Sequence, residues 1–171
     1  DLANLNANLG SILRDLGKLE EAERYTRKAI ELNPSLSIAN FNLGGILRDL
    51  GKLEGSERYT RKAIELNPSF AMAHSNLGSI LRDLGKLEEA ERYTRKAIEL
   101  NPSFAIAHSN LGSILRDLGK LEEAESYIRK AIKINPSLEI AHSNLGTILY
   151  DSGKSIEALD HYLKVIQINP Y

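Results

Sequence analysis

Apolar residues recur at helical spacing in short blocks, each broken by glycine or by Asn-Pro. Between 71 and 84, Ala73, His74, Leu77, Gly78, Ile80, Leu81 and Leu84 fall on one side of a helix. Met72, Ser75, Asn76, Ser79, Arg82 and Asp83 fall on the other. Over 87–100, Leu87, Ala90, Tyr93, Thr94, Ala97, Ile98 and Leu100 form an apolar half. Glu88, Glu91, Arg92, Arg95, Lys96 and Glu99 form the polar half. Two amphipathic helices are predicted, over 71–84 and 87–100. Gly85 suits the left-handed residue that ends the first, having no Cβ to clash. Asn101-Pro102 ends the second, since proline lacks an amide proton and disfavours helix before it. Ser103 is expected to cap the next helix through its hydroxyl. Glu88–Arg92 and Glu91–Arg95 stand four apart with Glu first, each pair worth roughly 0.2–0.5 kcal/mol on a solvated face.

The same two-helix pattern fills the chain. Asn-Pro stands at 33–34, 67–68, 101–102, 135–136 and 169–170, a constant step of 34 residues. Leu-Gly keeps that step at 9–10, 43–44, 77–78, 111–112 and 145–146, and residues 8–35 and 76–103 are identical. The period defines five repeats, 3–36, 37–70, 71–104, 105–138 and 139–171, in a single array over 1–171. No repeat buries its apolar half alone, so neighbours must stack. Gly10, Gly44, Gly78, Gly112 and Gly146 then let a second helix approach, as do the small Ala22, Ala90, Ala124 and Ala158.

Leu-Gly, then Gly, Ala, Ala and Pro, as in NLGSILRDLGKLEEAERYTRKAIELNP, resemble the tetratricopeptide repeat over the whole chain. The family's large early residue is replaced by His74, His108 or His142. Its bulky residue midway along the second helix is replaced by Thr26, Thr60 or Thr94, with a tyrosine one place earlier, so looser local packing is expected. The resemblance implies an all-α fold, a right-handed α-solenoid of antiparallel helix pairs whose first helices line a concave groove.

On that implied groove the polar half of each first helix supplies rows of like residues. Asn8, Asn42, Asn76, Asn110 and Asn144 make an asparagine ladder. Beside it run Ser11, Ser79, Ser113 and Thr147, interrupted by Gly45, and the row Asp15, Asp49, Asp83, Asp117 and Asp151. An amide offers both donor and acceptor and can pair with a peptide main chain. Packed helices lie roughly 8–10 Å apart and an extended chain advances about 3.3–3.6 Å per residue, so one Asn meets about every third guest residue. The AHSNLG phrase is similar to the ladder in the repeat domain of O-linked N-acetylglucosamine transferase, which implies main-chain binding. The competing reading has each amide bond the neighbouring first helix and stitch the stack. The Lys and Asn of the family's carboxylate clamp are not matched. Arg14, Arg48, Arg82 and Arg116 each sit beside an Asp and are expected to pair internally or with solvent. Phe41, four residues from Gly45, is expected to form a small apolar notch with Ile38 and Met72. Gly55 weakens its helix by about 1 kcal/mol, so the second repeat is expected to fray first.

Composition narrows the functional classes. Twenty-two Lys and Arg against 23 Asp and Glu leave a net charge of −1, giving no field to gather nucleic acid or an anionic membrane. Cysteine is absent, which removes disulfides, thiolate nucleophiles and Cys-based metal sites. No apolar run approaches the ~20 residues that span a bilayer, and no signal segment is visible; a cytoplasmic location is expected. His74, His108 and His142 form a column, but zinc needs its ligands about 2 Å from one ion, so they read as packing histidines. His161, beside Asp160, has no nucleophile in sight. No phosphate loop or nucleophile elbow is present, so no cofactor, metal or enzymatic activity is expected.

Asn4 and Asn6 are expected to cap the start in part, while Leu159, Leu163 and Ile166 leave an apolar strip near the end. Two outcomes are open, that a longer parent protein continues here or that two chains stack end to end; weak association or tail-to-tail packing of the isolated chain is expected. The leading reading is a scaffold binding an extended protein or peptide segment through Asn8, Asn42, Asn76, Asn110 and Asn144, with Phe41, Ser79, Ser113, Arg82, Arg116, Asp83 and Asp117 around them. The alternatives are a structural or oligomerising spacer of a larger protein, or an idealised array with no selected ligand.

Overall fold

The computed structural model describes residues 1–170; Tyr171, which ends the fifth predicted repeat, lies outside the described residues. Among the described residues the structure is all helix and turn, without strands. The helices are α1 (Leu2–Asp15), α2 (Leu19–Leu32), α3 (Ser37–Asp49), α4 (Leu53–Leu66), α5 (Ala71–Asp83), α6 (Leu87–Leu100), α7 (Ala105–Asp117), α8 (Leu121–Ile134), α9 (Glu139–Asp151) and α10 (Ser155–Ile168). Two are shared by each predicted repeat. None is long and apolar enough to cross a membrane.

Two kinds of turn set this rhythm. After each first helix comes a left-handed glycine, with φ of 73° at Gly17 and 74° at Gly85. The amide of Gly17 donates to the Arg14 carbonyl and that of Lys18 to Leu13, satisfying carbonyls the helix end leaves open. After each second helix the turn is built on asparagine. Asn101 Oδ1 accepts from the amide of Ser103 at 3.2 Å and from its hydroxyl at 2.9 Å. The expected Ser103 cap is therefore corrected. Its hydroxyl is spent on the preceding turn, and α7 starts from Phe104 without a side-chain cap.

The helices gather into two compact bodies, Asp1–Gly85 and Lys86–Tyr171. In the first, α1 packs on α2, α3 on α4, and the pairs join through α2 with α3 and α4 with α5. Its core includes Leu13, Ala22 and Ile46, closed by Tyr25 and Leu50. In the second, α7 packs on α8, α9 on α10, and α8 on α9. Leu111, Leu115, Ala124, Ile128, Ala141, Leu145 and Leu149 fill its core. Each buried leucine or isoleucine contributes about 1.5–3 kcal/mol relative to exposure.

The threonines do not loosen the packing. Thr26, Thr60 and Thr94 are fully buried. A Cβ on Gly10 would overlap Thr26 Oγ1 and lie 3.2 Å from the Ala22 carbonyl, so glycine and threonine together set a close approach of α1 and α2. In the second repeat Ser56 is buried and its hydroxyl donates to the Gly44 carbonyl at 2.6 Å. That bond, worth about 1 kcal/mol, offsets the propensity lost at Gly55.

The outer faces of the second helices carry ion pairs that cross between helices. Glu23 holds Arg27 at 2.7 Å and Lys52 at 2.8 Å. Glu91 holds Arg95 and Lys120, and Arg95 also reaches Glu123 at 2.6 Å. Arg92 pairs with Glu89 at 3.3 Å, three residues away, in place of the predicted Glu88. Of the two residues expected to cap the start in part, Asn4 is exposed and its amide donates to Asp1 at 3.1 Å, but Asn6 does not face solvent. Asn6 is buried, with Nδ2 donating to the Leu2 carbonyl at 2.7 Å, and α1 exposes leucines instead.

Candidate functional site

The ladder asparagines lie on the first helices, and none sits in the packed core. Asn8 is exposed, and Asn42, Asn76, Asn110 and Asn144 are half-buried. Asn42 and Asn144 each spend a donor on the preceding first helix. Asn144 Nδ2 donates to Ser109 Oγ at 3.0 Å, and Asn42 Nδ2 reaches the Ala7 carbonyl at 3.4 Å. The stitching role thus holds at these two positions. Asn8 and Asn76 make no side-chain hydrogen bond among the described residues.

The neighbouring rows behave unequally. Ser79 is half-exposed, but Ser113 is only 7% exposed and its hydroxyl donates to the Ser109 carbonyl at 3.3 Å. Ser109, expected on the polar face, is fully buried, because α9 packs over α7 and Asn144 reaches down to its hydroxyl. Ser75 is buried as well. Serine is small enough to sit in such a contact, and periodicity alone does not reveal it.

The charged rows pair with one another. Arg14 binds Asp49 at 2.6 Å and Arg48 binds Asp83 at 2.8 Å, each bond running from one first helix to the next. In the second body Arg116 turns to the adjacent Asp117 at 3.2 Å. Arg82 is half-buried. These contacts neutralise Arg14 and Arg48 as sites for an acidic ligand.

The apolar notch is partly filled. The Arg14 guanidinium lies against Gly45, where a Cβ would be 2.6 Å from its Nη1. Phe41 is half-buried and tilts against Phe70, with ring centroids 4.9 Å apart. A larger feature stands beside it. Ile38, Met72, Ile106 and Ile140 are all exposed, each four residues before a ladder asparagine. An apolar side chain thus lies one helical turn from each of Asn42, Asn76, Asn110 and Asn144. The signal was in the sequence as an apolar residue at the same 34-residue step within the polar half.

The histidine column is buried. The Nε2 atoms of His74, His108 and His142 lie 2.9–3.0 Å from the carbonyls of Pro68, Pro102 and Pro136. A carbonyl only accepts, so Nε2 carries the proton. His142 also meets His161, Nδ1 to Nδ1, at 3.1 Å. Burial, followed by the neighbouring His142, lowers the His161 pKa below its ordinary 6.5.

Comparison with known proteins agrees with this architecture. Tetratricopeptide repeat models match residues 3–36, 47–103, 75–139 and 141–171; the two central matches alone span more than half of the chain. PilW, a widely conserved type IV pilus biogenesis factor, superposes with a TM-score of 0.91 at 20% identity, covering 100% of this chain and 79% of that one. A thermophilic protein of this repeat class from Thermus thermophilus gives 0.87 at 22% identity, covering 98% and 92%. YrrB, described as having an unusual peptide-binding site, gives 0.69 at 25% identity, covering 96% and 85%. These likenesses establish an all-α solenoid fold. No curated relative matches the sequence.

Proposed function

Since the chain belongs to the tetratricopeptide repeat family, whose fold serves as a protein-interaction scaffold, we propose that it holds an extended peptide segment along the polar face of its first helices. The observation that carries this reading is the recurrence of Asn8, Asn42, Asn76, Asn110 and Asn144 outside the packed core, with an apolar residue one turn before the last four. A ladder amide has two N–H donors and an oxygen with two lone pairs. Asn42 and Asn144 therefore keep groups for a guest after stitching the helices. The amides pair with guest N–H and C=O groups whatever its side chains. Ile38 and Met72 in one body, and Ile106 and Ile140 in the other, then favour a guest carrying apolar side chains.

The remaining residues have secondary roles in this reading. Ser79 offers a hydroxyl beside the ladder, and Phe41 an aromatic edge. Arg48 anchors Asp83 and Arg116 anchors Asp117, so these carboxylates set the polarity of the face rather than seize a cation. Ser113, being buried, supports the helix beneath. Binding, without cofactor or chemistry, is the whole activity proposed. YrrB's described peptide-binding site is of the same ligand class.

A peptide selected for binding from a random extended library serves as the probe. Its affinity is compared between the native chain and Asn42→Ala with Asn76→Ala, two ladder positions of the first body, after circular dichroism shows equal helicity. Losing two main-chain contacts at about 1 kcal/mol each predicts a weakening of about tenfold or more. Unchanged affinity removes the ladder from the mechanism.

A further inference from the structure

Within each body the ladder face repeats a paired site. In the first, Ile38 with Asn42 on α3 recurs as Met72 with Asn76 on α5. In the second, Ile106 with Asn110 on α7 recurs as Ile140 with Asn144 on α9. The helices of each step touch directly. Arg48 reaches Asp83 across the first step, and Asn144 reaches Ser109 across the second. Helices packed in this way stand roughly 8–10 Å apart. A guest that meets equivalent sites equally must itself repeat over that distance.

Of the regular backbones, one does so. A fully extended chain repeats every second residue, over about 6.6–7.2 Å, and falls short of the next site. Three extended residues span about 9.9–10.8 Å, but the third side chain then points to the opposite face. An α-helix repeats every ~5.4 Å and spends its backbone groups on its own bonds. A polyproline II helix has three residues per turn and rises about 3.1 Å per residue. Every third side chain thus returns to the same face after about 9.3 Å, inside the range for packed helices. Its backbone makes no internal hydrogen bonds, so its carbonyls stay open to the ladder amides.

We infer that the guest is a proline-rich segment held as a polyproline II helix, with an apolar side chain at every third position. This rests on the ladder reading above and narrows its ligand. Proline fixes φ near about −65°, close to the value this helix needs, and so lowers the ordering cost of binding. Proline has no amide proton, but its carbonyl still accepts. Asn42 and Asn144, each with one N–H spent on a neighbouring helix, keep a second to donate to such a carbonyl. The apolar residue at each third position lies on Ile38 and Met72, or on Ile106 and Ile140. Phe41, half-buried on the same helix as Ile38, adds an aromatic face of the kind prolyl segments pack against. Charge agrees. Arg14 with Asp49 and Arg48 with Asp83 neutralise each other between the first helices, so an uncharged segment complements the face.

Two end-capped peptides of leucine and proline, equal in composition and length, test this on the whole chain. In the first, leucine recurs at every third position; in the second, no two leucines stand three apart. Circular dichroism checks that both are polyproline II in solution. Titration calorimetry is expected to show the first binding about tenfold more tightly than the second. Replacing the exposed Ile38, Met72, Ile106 and Ile140 by serine should abolish that preference while leaving helicity unchanged. Nuclear magnetic resonance of the labelled first peptide should give bound φ and ψ near about −75° and +145°. Equal or absent binding of the two peptides, or another bound conformation, overturns this inference. The ladder reading then still stands if Asn42→Ala with Asn76→Ala weakens the peptide selected from the random library. If those alanines weaken neither the selected peptide nor the first leucine–proline peptide, the ladder reading falls and this inference falls with it.

Discussion

Gly112 of α7 packs directly against Ile128 of α8: a methyl group on Gly112 would lie 2.5 Å from Ile128 Cγ1 and 3.1 Å from the Ala124 carbonyl. Gly112→Ala is expected to destabilise the second body by about 1–3 kcal/mol through overpacking, despite the better helix propensity of alanine. Ile128→Ala alone opens a cavity and costs about 2–5 kcal/mol. In the double variant the added methyl group partly fills that cavity, so the loss falls short of the sum. Urea unfolding of all four proteins measures the coupling, and strict additivity would refute the contact.

Much of this fold is legible without coordinates because the chain restates it five times. Gly85 and Asn101-Pro102 bound the helices where expected, and Leu77, Ile80 and Leu81 are buried as their spacing predicts. The errors arise where one helix is judged without its neighbours. Ser109 looks polar along α7 but lies beneath α9, and Asn6 looks like a cap but folds back on its own helix. Arg14 resting on Gly45 depends on contact between successive first helices, which periodicity within one helix does not encode. The ladder was legible as a row; which of its donors are already spent was not.

His142 and His161 stack with ring centroids 5.3 Å apart, and with Nε2 of His142 donating to Pro136, its Nδ1 must accept from His161. Protonation of His161 falls on its outer nitrogen, Nε2, since Nδ1 already carries the proton it donates to His142. Arg129 opposes that proton, and Asp160 and Glu157 favour it, but burial and His142 keep the folded pKa of His161 below 6.5. The unfolded chain binds the proton first. Stability is therefore full above that value and lost as pH falls through it toward the lowered folded value. Unfolding midpoints at about pH 7.5 and about pH 5.5 should differ more for the native chain than for His161→Phe.

A second acid step is expected from the outer ion pairs. Lys52 and Arg27 hold Glu23 below its ordinary 4.5, and Arg129 and Lys154 do the same for Glu125. At Glu91 burial pulls upward, but Lys120 and Arg95 outweigh it. Folded values below the unfolded one mean stability that is present above pH 4.5 and lost as pH falls through the folded values. Glu23→Gln with Glu125→Gln should lower stability at neutral pH and flatten its fall below that point. An equal acid slope in native and variant chains would exclude these pairs as its source.

Asn76 and Asn144 occupy the same register but differ in what they do for the folded chain. Asn144 donates to Ser109 at 3.0 Å, whereas Asn76 makes no side-chain hydrogen bond among the described residues. Asn144→Ala should therefore cost about 1 kcal/mol, because the Ser109 hydroxyl beneath it is fully buried and loses a partner. Asn76→Ala should leave stability unchanged or raise it by a few tenths of a kcal/mol, alanine being the better helix former. Each should weaken capture of a selected peptide that covers its own position. Thermal unfolding and peptide titration on the same two variants separate the effects. Were Asn76→Ala to lose stability and keep full affinity, that amide would be a structural strut and not a grip on the guest.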